Sequence, residues 1–284
     1  MPLLEVEDGV SVWYEDWGEG DKFVITSKNY IDYNASYARE LSKLGYHVIS
    51  ITLRGYGKST HLPQTDDIAT HWVPDILKVA DAVGAKQFVY TGISHGSGPG
   101  WEMIKTHPDR ILAYAGIVCG PKLIGDAASF SWRKRMSLEE MTPEQYEERC
   151  EGARQGALKE LRPWQSEYWQ DQIRKYGDEE YERNKAADEL ERKLHFGKQD
   201  GVLGFHSEEE LQAWMKTIDK PCIIFGGMQD PIVVPDSMFR SVRCVPNLKL
   251  VMYNDSDHGV AFSHGEDVIR EIDYFLKERK VFAE

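Results

Sequence analysis

The chain has 284 residues, of which 41% are hydrophobic and 29% charged, and its formal net charge is −13. These values are typical of a globular protein with one large domain or a core that carries an inserted subdomain. A chain this acidic gains nothing from counterion release on DNA or RNA, so we expect no nucleic-acid partner. It contains no run of about 18 apolar residues, which predicts that no segment crosses a membrane. The first residues lack the basic and apolar regions of a signal peptide, so we expect a cytoplasmic protein.

The four cysteines lie far apart in the sequence, and none belongs to a C-x-x-C pair. This spacing favours buried thiols in a reducing compartment over disulfides or metal ligands. We therefore expect no metal and no cofactor at these positions, which are Cys119, Cys150, Cys222 and Cys244.

The first residues predict a β-hairpin. Residues 3–6 and 10–14 alternate apolar and polar side chains, and Asp8-Gly9 between them favours a tight turn. Further β-rich runs follow along the chain, with helical periodicity between them. They predict strands at 23–26, 48–52, 88–91, 111–119, 222–225 and 248–253.

Two segments have clear helical periodicity. Apolar residues recur at helix spacing over 76–83, where Pro74 suits the first helical turn and Gly84 suits a C-terminal cap. A last helix is predicted over 268–276, with its apolar residues on one face. Strands that alternate with helices in this way indicate a mostly parallel sheet covered on both faces.

The alternation stops between 121 and 219, where no strand is predicted and charged helical patterns dominate. We predict that 1–120 and 220–284 form the core and that 121–219 forms a helical cap inserted between two strands. An independent helical domain is the alternative, but aromatic residues favour a cap, because a solvated appendage does not need them. Four of the eight tryptophans lie in this range, namely Trp132, Trp164, Trp169 and Trp214.

The sequence Gly92-Ile93-Ser94-His95-Gly96 matches the pattern G-x-S-x-G, directly after a predicted strand and before a helical segment. A serine on a sharp strand-to-helix turn is pushed out of the sheet, and the flanking positions must be small. The turn also presents the His95 amide at a helix start, where it can donate to an oxyanion. A phosphate-binding loop is disfavoured because no G-K-S/T follows.

At these residues the chain resembles the α/β-hydrolase superfamily. Residues 54–59 (Arg-Gly-Tyr-Gly-Lys-Ser) are similar to the R-G-x-G-x-S loop of that family. Residues 227–231 resemble its acid-bearing loop, and residues 257–259 resemble its histidine loop. The resemblance implies an α/β-hydrolase fold: a mostly parallel, eight-stranded sheet with helices on both faces and an inserted helical cap.

The resemblance also implies a triad of Ser94 as nucleophile, His258 as base and Asp230 as the acid that orients the histidine, in the family's order. The chemistry requires these residue types, because a serine hydroxyl is a poor nucleophile until a base removes its proton. A carboxylate fixes the tautomer of the histidine and stabilises its charged form.

Other residues compete for the acid and base positions. His264 is the rival base, but it lies at the start of the last predicted helix. Asp126 is the rival acid, because it follows the strand before the cap. Asp255 and Asp257 are disfavoured as the acid, since neighbours on one loop rarely point at each other's side chains.

The second oxyanion donor departs from the family's pattern. After the strand at 23–26 the family usually has His-Gly, whereas this chain has Ser27-Lys28-Asn29-Tyr30. We expect a backbone amide of Asn29 or Tyr30 to serve together with that of His95. Lys28 is expected to line the substrate pocket.

We also predict that the pocket lies under the cap and that at least one cap tryptophan faces Ser94, because aromatic side chains supply large contact areas. The alternative for each indole is packing between cap and core. The candidates are Trp132, Trp164, Trp169 and Trp214.

The leading hypothesis is a cofactor-free serine hydrolase of small organic esters or lactones, with a small molecule as its partner. Cofactor-independent oxygenation or C–C bond hydrolysis in the same fold stays open, as does a ligand-binding protein with a vestigial triad. Epoxide hydrolases and haloalkane dehalogenases resemble this fold but have aspartate at the elbow, so we do not expect those activities. A homodimer is compatible with the sequence.

Overall fold

The computed structural model describes residues 3–28, 36–60, 68–121, 142, 144, 203–205, 207–230, 233 and 235–282. The strands are β1 (Leu3–Glu7), β2 (Val10–Trp17), β3 (Phe23–Lys28), β4 (His47–Thr52), β5 (Phe88–Ile93), β6 (Ile111–Ile117), β7 (Cys222–Gly227) and β8 (Leu248–Tyr253). The α-helices are α1 (Ser36–Ser42), α2 (Trp72–Ala82), α3 (Gly98–Thr106), α4 (Glu208–Met215), α5 (Pro235–Cys244), α6 (Val260–Ser263) and α7 (Gly265–Glu278).

The eight strands form one sheet in the order β1-β2-β4-β3-β5-β6-β7-β8. The pairs β1–β2 and β2–β4 are antiparallel, and all other neighbours are parallel. The prediction of a mostly parallel, eight-stranded sheet is therefore confirmed. Because β3, β5, β6, β7 and β8 run in the same direction, the loops after these strands meet along one edge of the sheet.

Two apolar clusters cover opposite faces of the sheet. On one face, α2, α3, α4 and α5 pack against side chains of the central strands, such as Ile25, Tyr90 and Ile224. On the other face, α1, α6 and α7 pack against the alternate residues of the same strands, such as Val89 and Phe225. Successive side chains of a strand point to opposite faces, so these central strands are apolar on both sides.

Most predicted boundaries agree with the structure to within two residues, and the differences have local causes. β6 ends at Ile117 rather than at 119, because Val118 has a left-handed φ of 48° that a strand does not accept. No helix was predicted at α5. Its buried residues include serine and cysteine beside methionine, so few strongly apolar side chains mark its buried face in the sequence.

The cap predicted over 121–219 lies mostly outside the described residues. Its last part is described, and there α4 buries Leu211 and Met215 in the cluster that also contains residues of α2 and α3. Trp214 is half-buried against this cluster, with its ring centroid 5.3 Å from that of Phe205. The division into core and cap stays a prediction, and the described end of the range packs on the sheet.

Three cysteines, Cys119, Cys222 and Cys244, are buried free thiols, whereas Cys150 is not among the described residues. Within the described ranges, no three histidine, cysteine, aspartate or glutamate side chains are grouped to bind a metal ion. None of the helices given above is both long and apolar enough to cross a membrane.

Candidate active site

The G-x-S-x-G pattern forms a sharp turn between β5 and a 3-10 helix of residues 94–97, which leads into α3. Ser94 lies in the turn with a φ of 49°, a left-handed conformation that costs a non-glycine residue about 1–3 kcal/mol. Gly92 is required just before it. A β-carbon there would overlap the carbonyl group of Gly96 and lie 2.7 Å from the nitrogen of Ser97.

The glycines that follow the turn have different surroundings. A β-carbon at Gly100 would lie 2.6 Å from the ring of Tyr90 and would also overlap the ring of Tyr114. A β-carbon at Gly98 would have no atom within 4 Å. Close packing of α3 on the sheet therefore requires a glycine at one of these two positions only.

Ser94, His258 and Asp230 come together at the edge of the sheet where the parallel strands end. The Nε2 atom of His258 lies 3.0 Å from Oγ of Ser94, and its Nδ1 atom lies 2.8 Å from Oδ2 of Asp230. Loops after three different strands, β5, β7 and β8, supply the three residues. Both ring nitrogens of the histidine are engaged, one by each partner.

The Asp230 carboxylate has no exposed surface, and 23% of the His258 side chain is exposed. The second carboxylate oxygen of Asp230, Oδ1, accepts the N–H of Val233 at 2.9 Å. This bond fixes the carboxylate orientation, so Oδ2 is directed at the imidazole. With a carboxylate opposite Nδ1, that nitrogen carries the proton, and Nε2 can accept a proton from the Ser94 hydroxyl.

A glycine allows the acid-bearing loop and the histidine-bearing loop to approach. A β-carbon at Gly227 would overlap the main chain of Ser256 and Asp257. Two backbone bonds join the loops: the N–H of Met228 donates to the carbonyl of Tyr253 at 2.9 Å, and that of Gln229 to Ser256 at 3.0 Å. This pairing continues beyond the strands and sets the separation of acid and base.

The rival residues make other contacts. His264 stacks on Tyr253 with ring centroids 4.1 Å apart, and its Nε2 atom lies 3.1 Å from Oδ1 of the exposed Asp255. Asp257 accepts the N–H of Gly259 at 2.8 Å, a local bond within the loop. Asp126 lies outside the described residues. The geometry thus groups Ser94 with His258 rather than with His264.

Buried hydroxyl groups support the turn on the side of β3. The Tyr90 hydroxyl donates to the carbonyl of Gly96 at 2.6 Å, and Oγ of Ser27 lies 2.5 Å from that hydroxyl. Burial raises the pKa of Tyr90 far above its usual value, so the phenol remains a donor. The sequence does not indicate this group, because Ser27 and Tyr90 lie 63 residues apart and only the fold brings them together.

A second set of hydroxyls supports the turn on the side of β6. Ser97 donates to the carbonyl of Gly92 and accepts the N–H of Ile117 at 3.3 Å. The Tyr114 hydroxyl donates to the carbonyl of Ser97 at 3.1 Å. A buried carbonyl without a hydrogen bond costs free energy, so these hydroxyl groups stabilise the turn at Ser94 in its observed conformation.

Arg54, in the loop after β4, is buried and does not belong to the triad. Its guanidinium binds both oxygens of Asp75 at 2.6 Å, and it donates to Glu7 at 2.8 Å. The pair connects the β4 loop to α2 and β1. The R-G-x-G-x-S sequence therefore contributes a buried ion pair to the scaffold.

The predicted oxyanion and pocket residues are described only in part. The backbone of His95 lies in the 3-10 helix, one residue after Ser94, while its side chain is not described. Lys28 ends β3, where its backbone pairs with that of Thr52, and its side chain is not described either. The predictions for the remaining positions fall outside the described residues, namely Asn29, Tyr30, Trp132, Trp164 and Trp169.

Trp214 is the described member of the predicted pocket tryptophans. It packs with Phe205 beside the end of α3, where Lys105 donates to the carbonyl of Leu203 and its Nζ atom lies 4.4 Å from the centroid of Phe205. Ser94 precedes the opposite end of this helix. The role of Trp214 in a pocket stays a prediction, and the described contacts are those of a packing residue.

The arrangement can activate a hydroxyl group. A neutral imidazole 3.0 Å from Oγ of Ser94 is within reach to remove the hydroxyl proton. A buried carboxylate on the opposite nitrogen orients the ring and stabilises it once charged. A positioned nucleophile, a base and a group that orients the base together permit covalent catalysis by acyl transfer.

Several known proteins are similar to this chain over most of its length. Residues 27–265 match the family model for the alpha/beta hydrolase fold. A bifunctional esterase/perhydrolase of Acinetobacter calcoaceticus is 22% identical, with 98% of this chain and 100% of the relative covered. An enol-lactonase from Burkholderia xenovorans, known from a crystal structure, is 17% identical in sequence with a TM-score of 0.62. The alignment covers 97% of this chain and 100% of the lactonase. A meta-cleavage product hydrolase from Pseudomonas fluorescens is 18% identical in sequence with a TM-score of 0.69. The alignment covers 96% of this chain and 97% of that hydrolase. The chain belongs to the alpha/beta hydrolase fold family.

Proposed function

We propose that this chain is a serine hydrolase that cleaves an ester or lactone bond of a small organic molecule through an acyl-enzyme. The observation that carries the proposal is the continuous series of hydrogen bonds from Asp230 through His258 to Ser94, with distances of 2.8 Å and 3.0 Å. Names of relatives support the substrate class, since an esterase/perhydrolase and an enol-lactonase are among the similar proteins.

In the first half of the reaction, Oγ of Ser94 attacks the substrate carbonyl carbon while its proton passes to Nε2 of His258. The carbonyl π electrons move to oxygen and form a tetrahedral oxyanion. When this collapses, the bond to the leaving oxygen breaks and His258 returns the proton to that oxygen. An ester releases an alcohol at this point, whereas a lactone ring opens and keeps its hydroxyl on the acyl group.

In the second half, a water molecule takes the place of the leaving group. His258 removes a proton from the water, which attacks the acyl carbon, and the proton then passes to Oγ of Ser94 as the acid is released. Asp230 stays ionised throughout and stabilises the imidazolium that forms twice in the cycle. No cofactor enters this balance.

The oxyanion is assigned to two backbone donors on either side of the scissile carbonyl. One is the N–H of His95, next to the nucleophile at the start of the 3-10 helix. The other follows β3, at Asn29 or Tyr30. The pocket is assigned to Lys28 and the cap tryptophans, which would contact the substrate beyond the carbonyl.

The test is a panel of p-nitrophenyl esters and of aliphatic and aromatic lactones, assayed in air and under nitrogen. The proposal expects turnover of some of these substrates at the same rate in both atmospheres. Ser94→Ala should reduce kcat by about 10⁶-fold, because the nucleophile and base act as a unit. Ser42→Ala, in the last residue of α1, is the matched control and should retain wild-type activity.

Two of the remaining hypotheses, oxygenation and ligand binding, are separate outcomes of the same panel. Turnover that requires oxygen would support cofactor-independent oxygenation instead of hydrolysis. Tight binding of a panel compound, with no turnover by the wild type, would support a ligand-binding protein. Full activity of Ser94→Ala would contradict the acyl-enzyme mechanism itself.

A further inference from the structure

Ser27 and Tyr90 form a buried hydroxyl chain that ends on the carbonyl of Gly96. We propose that these two hydroxyls are positioning groups for acyl transfer: they fix the turn that bears Ser94 and the N–H of His95 relative to the end of β3. This inference rests on the proposed function of Ser94, and it assigns to both residues a role that neither motif nor triad contains.

Both hydroxyls reach the carbonyl of Gly96. Each hydroxyl has one hydrogen to donate. Tyr90 donates to this carbonyl at 2.6 Å, and Oγ of Ser27 lies 2.5 Å from the phenol oxygen, where either hydroxyl can be the donor. Ser27 can also donate to the same carbonyl at 3.3 Å, which places all three groups in mutual contact. Burial raises the pKa of Tyr90, so the phenol retains its proton across the working pH range.

The hydroxyl chain connects the turn of the nucleophile to β3. Gly96 belongs to the 3-10 helix that begins with Ser94 and His95, so its carbonyl orientation is coupled to theirs. Ser27 pairs with Gly92 in the sheet, so it is held in β3 beside the start of the turn. A shift of Gly96 away from β3 would move Ser94 and the N–H of His95. Misplacement by about 1 Å can cost a reaction on the order of 100-fold.

Tyr37 offers a matched control for a general loss of buried hydrogen bonds. It is 1% exposed and Tyr90 is 0% exposed, and its hydroxyl lies 2.9 Å from Oγ1 of Thr91. It belongs to the apolar cluster on the opposite face of the sheet. Burial raises its pKa to about 12, so it too is a protonated phenol. Removing the Tyr90 hydroxyl deletes its contacts with Gly96 and Ser27, and removing the Tyr37 hydroxyl deletes its contacts with Thr91 and Thr26, but only Tyr90 contacts the turn.

The experiment compares Tyr90→Phe, Ser27→Ala, the double variant and Tyr37→Phe in the full chain. The readouts are kcat and KM for p-nitrophenyl acetate, the inhibition constant of phenylboronic acid and the melting temperature. Phenylboronic acid forms a tetrahedral adduct on the serine, so its affinity reports the oxyanion geometry. We expect Tyr90→Phe to lower kcat about 10- to 100-fold and to keep KM within twofold of wild type. It should raise the inhibition constant of phenylboronic acid by a factor similar to the loss of kcat.

Ser27→Ala should lower kcat less than Tyr90→Phe does, because Tyr90 keeps its own bond to Gly96. The double variant should lower kcat at least as much as Tyr90→Phe, since it also removes the contact of Ser27 with the carbonyl of Gly96. Tyr37→Phe should lower the melting temperature by a comparable amount and keep kcat and boronic acid affinity within twofold of wild type.

Wild-type kcat in both Tyr90→Phe and Ser27→Ala would overturn the positioning role. Equal losses of kcat in Tyr90→Phe and Tyr37→Phe would also overturn the positioning role, because the loss would then come from lower stability in general. If Tyr90→Phe does not fold, Ser27→Ala tests the positioning role by itself. Wild-type kcat and wild-type affinity for phenylboronic acid in that variant would then overturn it. These outcomes are distinguishable from failure of the proposed function, which would appear as full activity of Ser94→Ala.

Discussion

The replacement Asp230→Asn exchanges one buried carboxylate oxygen for an NH2 group and tests the orientation of the histidine. The carboxylate accepts on both sides: Oδ1 from the N–H of Val233 at 2.9 Å and Oδ2 opposite Nδ1 of His258 at 2.8 Å. Val233 can only donate, so the carbonyl oxygen of the new amide must face it. The amide nitrogen then faces His258 as a donor. Nδ1 becomes an acceptor, the proton moves to Nε2, and the lone pair that Ser94 needs is lost.

The expected effect is a decrease of kcat by about 10⁴-fold, which corresponds to roughly 5.4 kcal/mol of transition-state stabilisation. The folded structure should survive, because the amide has the shape of the carboxylate and retains the Val233 bond. The assay is steady-state hydrolysis of the best p-nitrophenyl ester, with circular dichroism melting to verify the fold.

Asp257→Asn is the matched control for this replacement. Asp257 precedes His258 in the same loop, is exposed and accepts the N–H of Gly259 at 2.8 Å, a bond that an amide oxygen can also accept. We expect its kcat to stay within threefold of wild type. Near-normal kcat for Asp230→Asn, or an equal loss in both variants, would refute the reasoning and direct attention to Asp126 as the acid.

Two further predictions concern the scaffold of the site. Gly92→Ala should lower kcat at least about 100-fold, because the new methyl group overlaps the Gly96 carbonyl group and opens the turn. Gly98→Ala is the control: its methyl group meets no atom within 4 Å, so kcat should stay within twofold and the free energy of unfolding within about 1 kcal/mol of wild type. Equal activity of the two variants would contradict the packing argument. Arg54→Met should lower the free energy of unfolding in urea by about 3–5 kcal/mol, since it leaves the fully buried carboxylate of Asp75 without its cation. Arg270→Met, which removes an ion pair that is 69% and 41% exposed, should change it by under about 1 kcal/mol, and a similar loss in both arginine variants would argue against the buried-pair explanation.

Much of the fold could be predicted from the sequence, because parallel strands buried on both faces produce short apolar runs that stand out from amphipathic helices. The grouping of Ser94, Asp230 and His258 could also be anticipated. Each follows a predicted strand, and strands of one direction bring their following loops to the same edge of the sheet.

Contacts between distant hydroxyl groups could not be predicted. Tyr90 and Ser27 read as ordinary strand residues, because only sheet register and the turn at Ser94 bring their hydroxyls to Gly96. The end of β6 was wrong by two residues for a related reason. Val118 favours a strand by composition, but it has a left-handed φ of 48°, and its N–H donates to the carbonyl of Phe225 in β7 at 2.8 Å.

The choice of Asp230 as the acid also depends on contacts that the sequence does not show. Sequence position favoured it, but the contacts that engage the others appear only in three dimensions. Asp255 lies 3.1 Å from His264, and Asp257 accepts a bond within its own loop. A carboxylate near a histidine in sequence can therefore be excluded by a local partner that no motif records.

The most direct test of the account is the mass of the enzyme while it turns over an ester. Rapid acid quenching during hydrolysis of a p-nitrophenyl ester, followed by peptide mapping, should show one added acyl group on the peptide that contains Ser94. The adduct should be absent from Ser94→Ala and should accumulate in Ser42→Ala as in the wild type. Turnover with no acylated peptide, or an acyl group on another residue whose replacement abolishes activity, would contradict the assignment of Ser94 as the nucleophile.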